Sequence, residues 1–263
     1  MFDSIYRTVQ NLSLDIVAGA VILLRFFSSQ LSIEIPLVVY VLLGCSVWLI
    51  YTIDHVKDSK RAQVGDRARY KFHLHHAKAL YIVAILLFLI CFSSAFLLTR
   101  ELLFAGSLLF LLSGLYLGIH RFLAKWGLKE GYIALIYTCG ILVSPFTIAE
   151  RIEWDLFWLL FLLTLSNLML FSMFEKEEDK ADGFDSIATV VHPQKVDRII
   201  FSCISVGITT ILLGELSLLK GYFLLAFALY VGLFSNQRWA KSRSRYRILG
   251  DGVFLLPILM EWG

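Results

Sequence analysis

Charge is what this sequence has least of. Only 17% of its 263 residues are Asp, Glu, Lys or Arg, against 58% that are hydrophobic, and the mean hydropathy is +0.74. A water-soluble chain carries roughly 25% charged residues, so a soluble globular domain is excluded. Cysteine is scarce too. The four, Cys45, Cys91, Cys139 and Cys203, stand alone in different apolar runs. That excludes a disulfide framework and a zinc site and leaves small buried hydrophobes. Proline also numbers four, with Pro145 and Pro257 inside apolar runs, where each is expected to bend its helix. Low-complexity segments and linkers are absent, so one domain over 1–263 is expected. Met1 to Asn11 is polar and mixed in charge with no clear small-residue cleavage site behind it, so a cleavable signal peptide is not expected. No nucleic-acid partner is expected.

What is present is a set of apolar runs close to the length that crosses about 30 Å of hydrocarbon. Nine spans are expected, at 11–28, 35–54, 77–98, 101–122, 132–149, 156–176, 198–215, 220–236 and 245–262. Backbone groups in lipid must hydrogen-bond within their own segment, and a barrel would show shorter alternating runs. The expected fold class is therefore all-α, a polytopic membrane protein of nine transmembrane helices in one bundle. The net charge of +3 matters less than where the cations sit. The connections after the even-numbered spans hold Lys57, Lys60, Arg61, Arg67, Arg69 and Lys71, then Arg121, Lys125 and Lys129, then Lys176, Lys180, Lys195 and Arg198, then Arg238, Lys241, Arg243, Arg245 and Arg247. The alternate connections hold only Arg100, Arg151 and Lys220. The positive-inside rule then places the basic loops and the N-terminus in the cytoplasm and the C-terminus outside. In a bacterial cell this means the inner membrane.

The few acids are not scattered. Asp54 and Asp58 close the second span, and Glu175 and Asp179 close the sixth, with Glu178 and Asp182 as a second register. Carboxylates four apart share one helix face. They also sit at the end where the macrodipole is already negative, so they cost stability there unless a cation offsets them. Four carboxylates in a partly desolvated place suit hard divalent cations. Magnesium held by one or two carboxylates completes its shell with water and phosphate oxygens, so a diphosphate is the natural guest, in a cavity facing the cytoplasm. Arg61, Arg67, Arg69, Arg121, Lys129 and Lys180 are the candidates to hold its outer oxygens. Asp15 and Asp251 fall near the cytoplasmic ends of the first and ninth spans and are candidates to line the same cavity. Arg25, near the outer end of its span, is expected to snorkel. His73, His75 and His76 have no adjacent acid or cysteine and are expected in a solvated loop. Ser166 and Asn167 are expected to serve helix packing.

The arrangement resembles the intramembrane aromatic prenyltransferases of the UbiA superfamily. That family has nine transmembrane helices and acidic motifs after helices 2 and 6. Its first motif, Asn-x-x-x-Asp-x-x-x-Asp, is met here by Ile50-Tyr-Thr-Ile-Asp54-His-Val-Lys-Asp58, with both aspartates in place and Ile50 where the asparagine stands. Its second, centred on Asp-x-x-x-Asp with a glycine four residues on, is met by Glu175-Lys-Glu-Glu-Asp179-Lys-Ala-Asp-Gly183, with Glu for the first Asp. Arg67-Ala-Arg69-Tyr-Lys71 occupies the family's Arg-Pro segment without the proline, and Tyr116 with His120-Arg121 is a loose echo of its Tyr and basic pair. The resemblance implies a divergent member that transfers a prenyl group from a prenyl diphosphate to an aromatic or other electron-rich acceptor. Mg2+ would be the cofactor, Asp54, Asp58, Glu175 and Asp179 its ligands, and the lipid bilayer the setting. Two other readings stay open. An ion- or proton-coupled transporter accounts for Asp15 and Asp251. A family member that has lost catalysis accounts for Ile50.

Overall fold

The computed structural model describes residues 8–64, 67–214 and 217–261, and among these every regular element is helical. In chain order the helices are α1 (Leu14–Gln30), α2 (Leu37–Ser59), α3 (Ala68–His75), α4 (Ala77–Ala95), α5 (Arg100–Lys125), α6 (Lys129–Ala149), α7 (Trp154–Phe174), α8 (Lys176–Asp182), α9 (Ile187–Val190), α10 (Pro193–Leu213), α11 (Ser217–Ser235), α12 (Gln237–Lys241), α13 (Arg245–Gly252) and α14 (Pro257–Glu261). Short 3-10 turns at Ser242–Ser244 and Val253–Leu255 join the last three. Six helices, α2, α4, α5, α6, α7 and α10, are long and apolar enough to cross a membrane, and α11 is apolar but shorter over Leu219–Ser235.

The centre of the bundle is α7. In its most apolar stretch 56% of residues are buried, against 17% for α5. A helix that is apolar all round belongs in the interior, and α7 packs against α6, α10, α11 and α13. The main core runs through Leu156, Leu160 and Leu163 of α7, Leu23, Leu24 and Phe27 of α1, and Phe223, Phe227 and Tyr230 of α11. At the periphery, α4 packs mainly on α2 and leaves Ile82, Ile85 and Leu86 exposed, as α5 leaves Phe104 and Leu108. On a chain of this hydropathy those faces suit lipid.

Helix ends decide where the acids stand, and here the expected spans change. α2 runs on to Ser59, so Asp54 lies inside the helix and Asp58 in its last turn. The sixth span stops earlier. Glu175 leaves helical geometry (φ −98°, ψ 6°), and a new short helix, α8, starts at Lys176. The break reverses the electrostatic problem. Glu177, Glu178 and Asp179 now stand in the first turn of α8, where the helix dipole favours carboxylates, not at the end of α7, where it opposes them. The run 245–262 is not one unbroken helix, and Pro257 begins α14, where its missing N–H costs nothing, in place of bending a longer helix. Pro145 does lie inside a helix, α6. The cysteines are free, as expected.

The basic connections gather at one end of the bundle. Arg61 Nη1 is 3.1 Å from His120 Nε2, the Gln63 amide donates to the Asp182 carbonyl at 3.1 Å, and the Ile187 amide donates to Glu130 Oε1 at 3.0 Å. Lys241 Nζ lies 3.9 Å from Glu178.

Candidate functional site

At that end a polar cavity of about 230 Å³ opens among α1, α2, α6, α7 and α13. Asp54 and Asp58 enter it from α2, and Glu175 and Asp179 from the break between α7 and α8, so the acids of two distant segments line one space. The loop after α2 is tied to the end of α8 by the Gln63–Asp182 bond. Gly183 makes that closeness possible. Its φ of +74° is left-handed, and a Cβ there would lie 2.6 Å from Gln63 Nε2. Only glycine meets both conditions without strain.

The two acid pairs have different surroundings. Arg67, at the N-terminus of α3, places Nη1 3.3 Å from Glu175, Nη2 2.8 Å from Asp179 and Nε 2.9 Å from Asp182. A planar guanidinium with donors on three nitrogens is suited to bridge several carboxylates at once. Glu175 also takes Arg247 Nη2 at 2.6 Å and the Tyr246 hydroxyl at 3.2 Å. Burial raises the Asp179 pKa, and the Arg67 hydrogen bond offsets only part of that. Burial works against charge on Arg67, but the bonded Asp179, together with Tyr70 and Glu175 beside it, outweighs it and the guanidinium pKa rises. Asp54 and Asp58, by contrast, have no ion-pair partner among the described residues. Arg69 and Lys129 line the cavity and are likewise unpaired with a carboxylate there.

The remaining expected residues divide. Asp15 and Asp251 line the cavity. Asp182 is buried behind it against Arg67. Glu178 faces Lys241 outside it. Arg61, Arg121 and Lys180 stand off its walls, Arg61 being held by His120. Three readings change. His73 is not solvated: it is buried, its ring 5.1 Å from that of His55, and its Nδ1 is 2.8 Å from the Arg69 carbonyl. Burial lowers its pKa. His75 and His76 are exposed. Asn167 does more than pack, because it lines the cavity together with Asp251. Arg247 is a cavity residue that loop counting grouped with its exposed neighbours, although its two-residue spacing from Arg245 already implies a different helix face. Gly250 lets its helix approach α7, since a Cβ there would fall 2.5 Å from Phe171 Cε1.

A second, apolar cavity of about 510 Å³ lies between α2, α4, α5 and α6. Its walls include Leu43, Phe88, Phe92, Phe110 and Ile141, and also Ile50, the residue standing in the asparagine position. Tyr51, Asp54, Ile133 and Tyr137 line both cavities, so the charged space and the apolar one meet at these four side chains.

Comparison with known proteins agrees with this architecture. The family model of the UbiA prenyltransferase family matches residues 52–248, which take in both acidic segments. The fold is similar to the apo structure of a UbiA homolog from Aeropyrum pernix K1, with a TM-score of 0.68 at 11% identity over 96% of this chain and 99% of that one. No curated protein matches the chain.

Proposed function

This chain belongs to the UbiA prenyltransferase family, and from that premise we propose that it transfers a prenyl group from a prenyl diphosphate to an aromatic or other electron-rich acceptor, with magnesium. The observation that supports this reading best is the meeting of the two cavities at Tyr51, Asp54, Ile133 and Tyr137. A prenyl diphosphate has the same polarity, a multiply charged head on an apolar chain.

The donor set fits magnesium. Mg2+ favours one or two carboxylates with water and phosphate oxygens completing its octahedron, and Asp54, Asp58, Glu175 and Asp179 all line the polar cavity. Asp54 and Asp58, without an ion pair among the described residues, would hold one ion, and Glu175 with Asp179 would hold another. Bound there, magnesium supplies neutralisation of charge on the leaving diphosphate. The chain does the rest. Arg69 and Lys129 offer donors to outer phosphate oxygens. Arg67 and Arg247 fix the orientation of Glu175 and Asp179, and Asp182 steadies Arg67 from behind. The apolar cavity holds the prenyl chain and keeps water from an allylic carbon as it becomes cationic. The Tyr51 and Tyr137 rings stand at the junction where that charge would develop, and aromatic faces attract cations.

We place the protein in the membrane as one domain of nine spans. The gathered basic loops and the polar cavity face the cytoplasm, with the N-terminus on that side and the C-terminus outside. The direct test is release of diphosphate from an allylic prenyl diphosphate by the purified protein. Release that requires Mg2+ and is accompanied by a prenylated product supports the proposal. A second reading, ion- or proton-coupled transport, draws on Asp15 and Asp251 lining the same cavity. It expects ion flux in proteoliposomes and no diphosphate release.

A further inference from the structure

Arg67 and Arg69 stand two residues apart and are placed by opposite means. Arg67 spends its guanidinium on Glu175, Asp179 and Asp182. Arg69, in the first turn of α3, lines the polar cavity and has no carboxylate partner among the described residues. Its Nε is buried without a hydrogen-bond partner, and its guanidinium lies 5.7 Å from the centre of the Tyr70 ring. Donors left unspent suit a group that binds phosphate oxygens, because no protein partner has to be released first. They also leave the side chain without a polar anchor, and a flexible arginine loses rotamer entropy when it binds. Preorganisation must then come from the backbone that carries it.

His73 holds that backbone. Its Nδ1 lies 2.8 Å from the Arg69 carbonyl, one turn back along α3. A carbonyl only accepts, so Nδ1 carries the proton and donates. His73 is 1% exposed, and its ring packs at 5.1 Å and 75° on the ring of His55 in α2. His55 is fixed in turn. Its Nδ1 is 3.3 Å from the Ser13 hydroxyl oxygen at the start of α1, and the Tyr51 ring lies 5.7 Å away. His55 follows Asp54 in the chain, and both line the cavity. Arg69 is within electrostatic reach of both. A peptide bond, a ring contact and a hydrogen bond therefore lead from Asp54 through His55 and His73 to Arg69. They tie the helix that carries the first acid pair to the cation whose donors are unspent.

We infer that His73 is a positioning residue: seated on His55 and bonded through Nδ1–H to the Arg69 carbonyl, it sets the Arg69 guanidinium for the diphosphate. This rests on the prenyl-transfer reading, and the two can fail separately. The test uses the full-length protein in detergent, with inorganic diphosphate and a non-hydrolysable prenyl diphosphate analogue as probes, each with Mg2+. Two replacements separate the hydrogen bond from the packing. His73→Asn keeps an N–H donor near the place of Nδ1 and loses the ring, whereas His73→Phe keeps a ring and loses the donor. Inorganic diphosphate should bind at least fivefold more weakly to His73→Phe and within twofold of wild type to His73→Asn. Arg69→Gln should weaken binding at least tenfold, and adding His73→Phe to it should cost nothing further, because residues that act through one another are not additive. Binding weaker in His73→Asn than in His73→Phe, or a His73→Phe loss that persists in full on the Arg69→Gln background, would leave His73 a packing residue and overturn the inference. A thermal unfolding curve is taken for each variant. If His73→Phe does not fold, wild type decides the matter. In protein labelled with 15N-histidine at pH 8, above the ordinary histidine pKa of about 6.5, the signals missing from His73→Asn should show the proton on Nδ1. A proton on Nε2 alone would overturn the inference. A prenyl analogue that binds no better than inorganic diphosphate would count against prenyl transfer and leave the result for His73 standing.

Discussion

Arg67 is the residue on which the second acidic segment depends. It bridges Glu175, Asp179 and Asp182 at 3.3, 2.8 and 2.9 Å, with a side chain only 16% exposed. Lysine would keep the charge, but its single ammonium cannot span three carboxylates in this geometry. Breaking a fully buried pair costs about 3–5 kcal/mol. With water still in reach and one charge retained, Arg67→Lys should cost about 1–2 kcal/mol, read as a lower unfolding temperature in detergent. A stability equal to wild type would mean that the bridge holds nothing in place. The acids were legible in the sequence because carboxylates at the end of an apolar run are conspicuous. Their partners were not. Arg67 and Arg247 were two among many loop cations, and only the folded chain brings residues 108 and 72 positions apart into contact with Glu175. His73 was misread for a similar reason. Its sequence neighbours are basic, but its ring packs on His55 of α2, a tertiary contact that no local pattern announces.

Among the elements, apolar periodicity located the long helices well and their ends less well. The break at Glu175 was hidden because hydrophobicity stops there but helix-forming residues continue. What ends α7 is the electrostatic gain of restarting the helix with acids in its first turn. The pairing of α4, α2 and α5 around the apolar cavity was not legible either, since lipid-facing and cavity-facing hydrophobes look alike in sequence. Gly106 of α5 lines that cavity, and a Cβ on it meets nothing within 4 Å. Gly106→Leu should therefore fold normally and project into the space proposed for the prenyl chain. It should shift the preferred donor toward shorter prenyl diphosphates, measured as the ratio of kcat/KM for a short and a long donor. An unchanged ratio would remove the chain from this cavity.

At the scale of the whole molecule, two claims can be separated, orientation and convergence. For orientation, Ser242 is exposed at the basic end and Glu34 is exposed between α1 and α2. With the four native cysteines replaced, an impermeant thiol reagent applied to intact cells should label Glu34→Cys and miss Ser242→Cys. The reverse pattern would invert the topology. Convergence is the central claim: acids from α2 and from the α7–α8 break, over a hundred residues apart, act as one site. It is tested most directly by a double-mutant comparison in a prenyl-transfer assay, using Asp54→Asn, Asp179→Asn, the pair together, and exposed Glu177→Gln as control. Removing one electrostatic element of a transition-state site typically costs on the order of 10²–10³ in rate, and residues that act as a unit are strongly non-additive. The account predicts a loss of that size for each single change, a double mutant little worse than the weaker single, and Glu177→Gln near wild type. Losses that multiply in the double mutant, or that match the control in size, would contradict it.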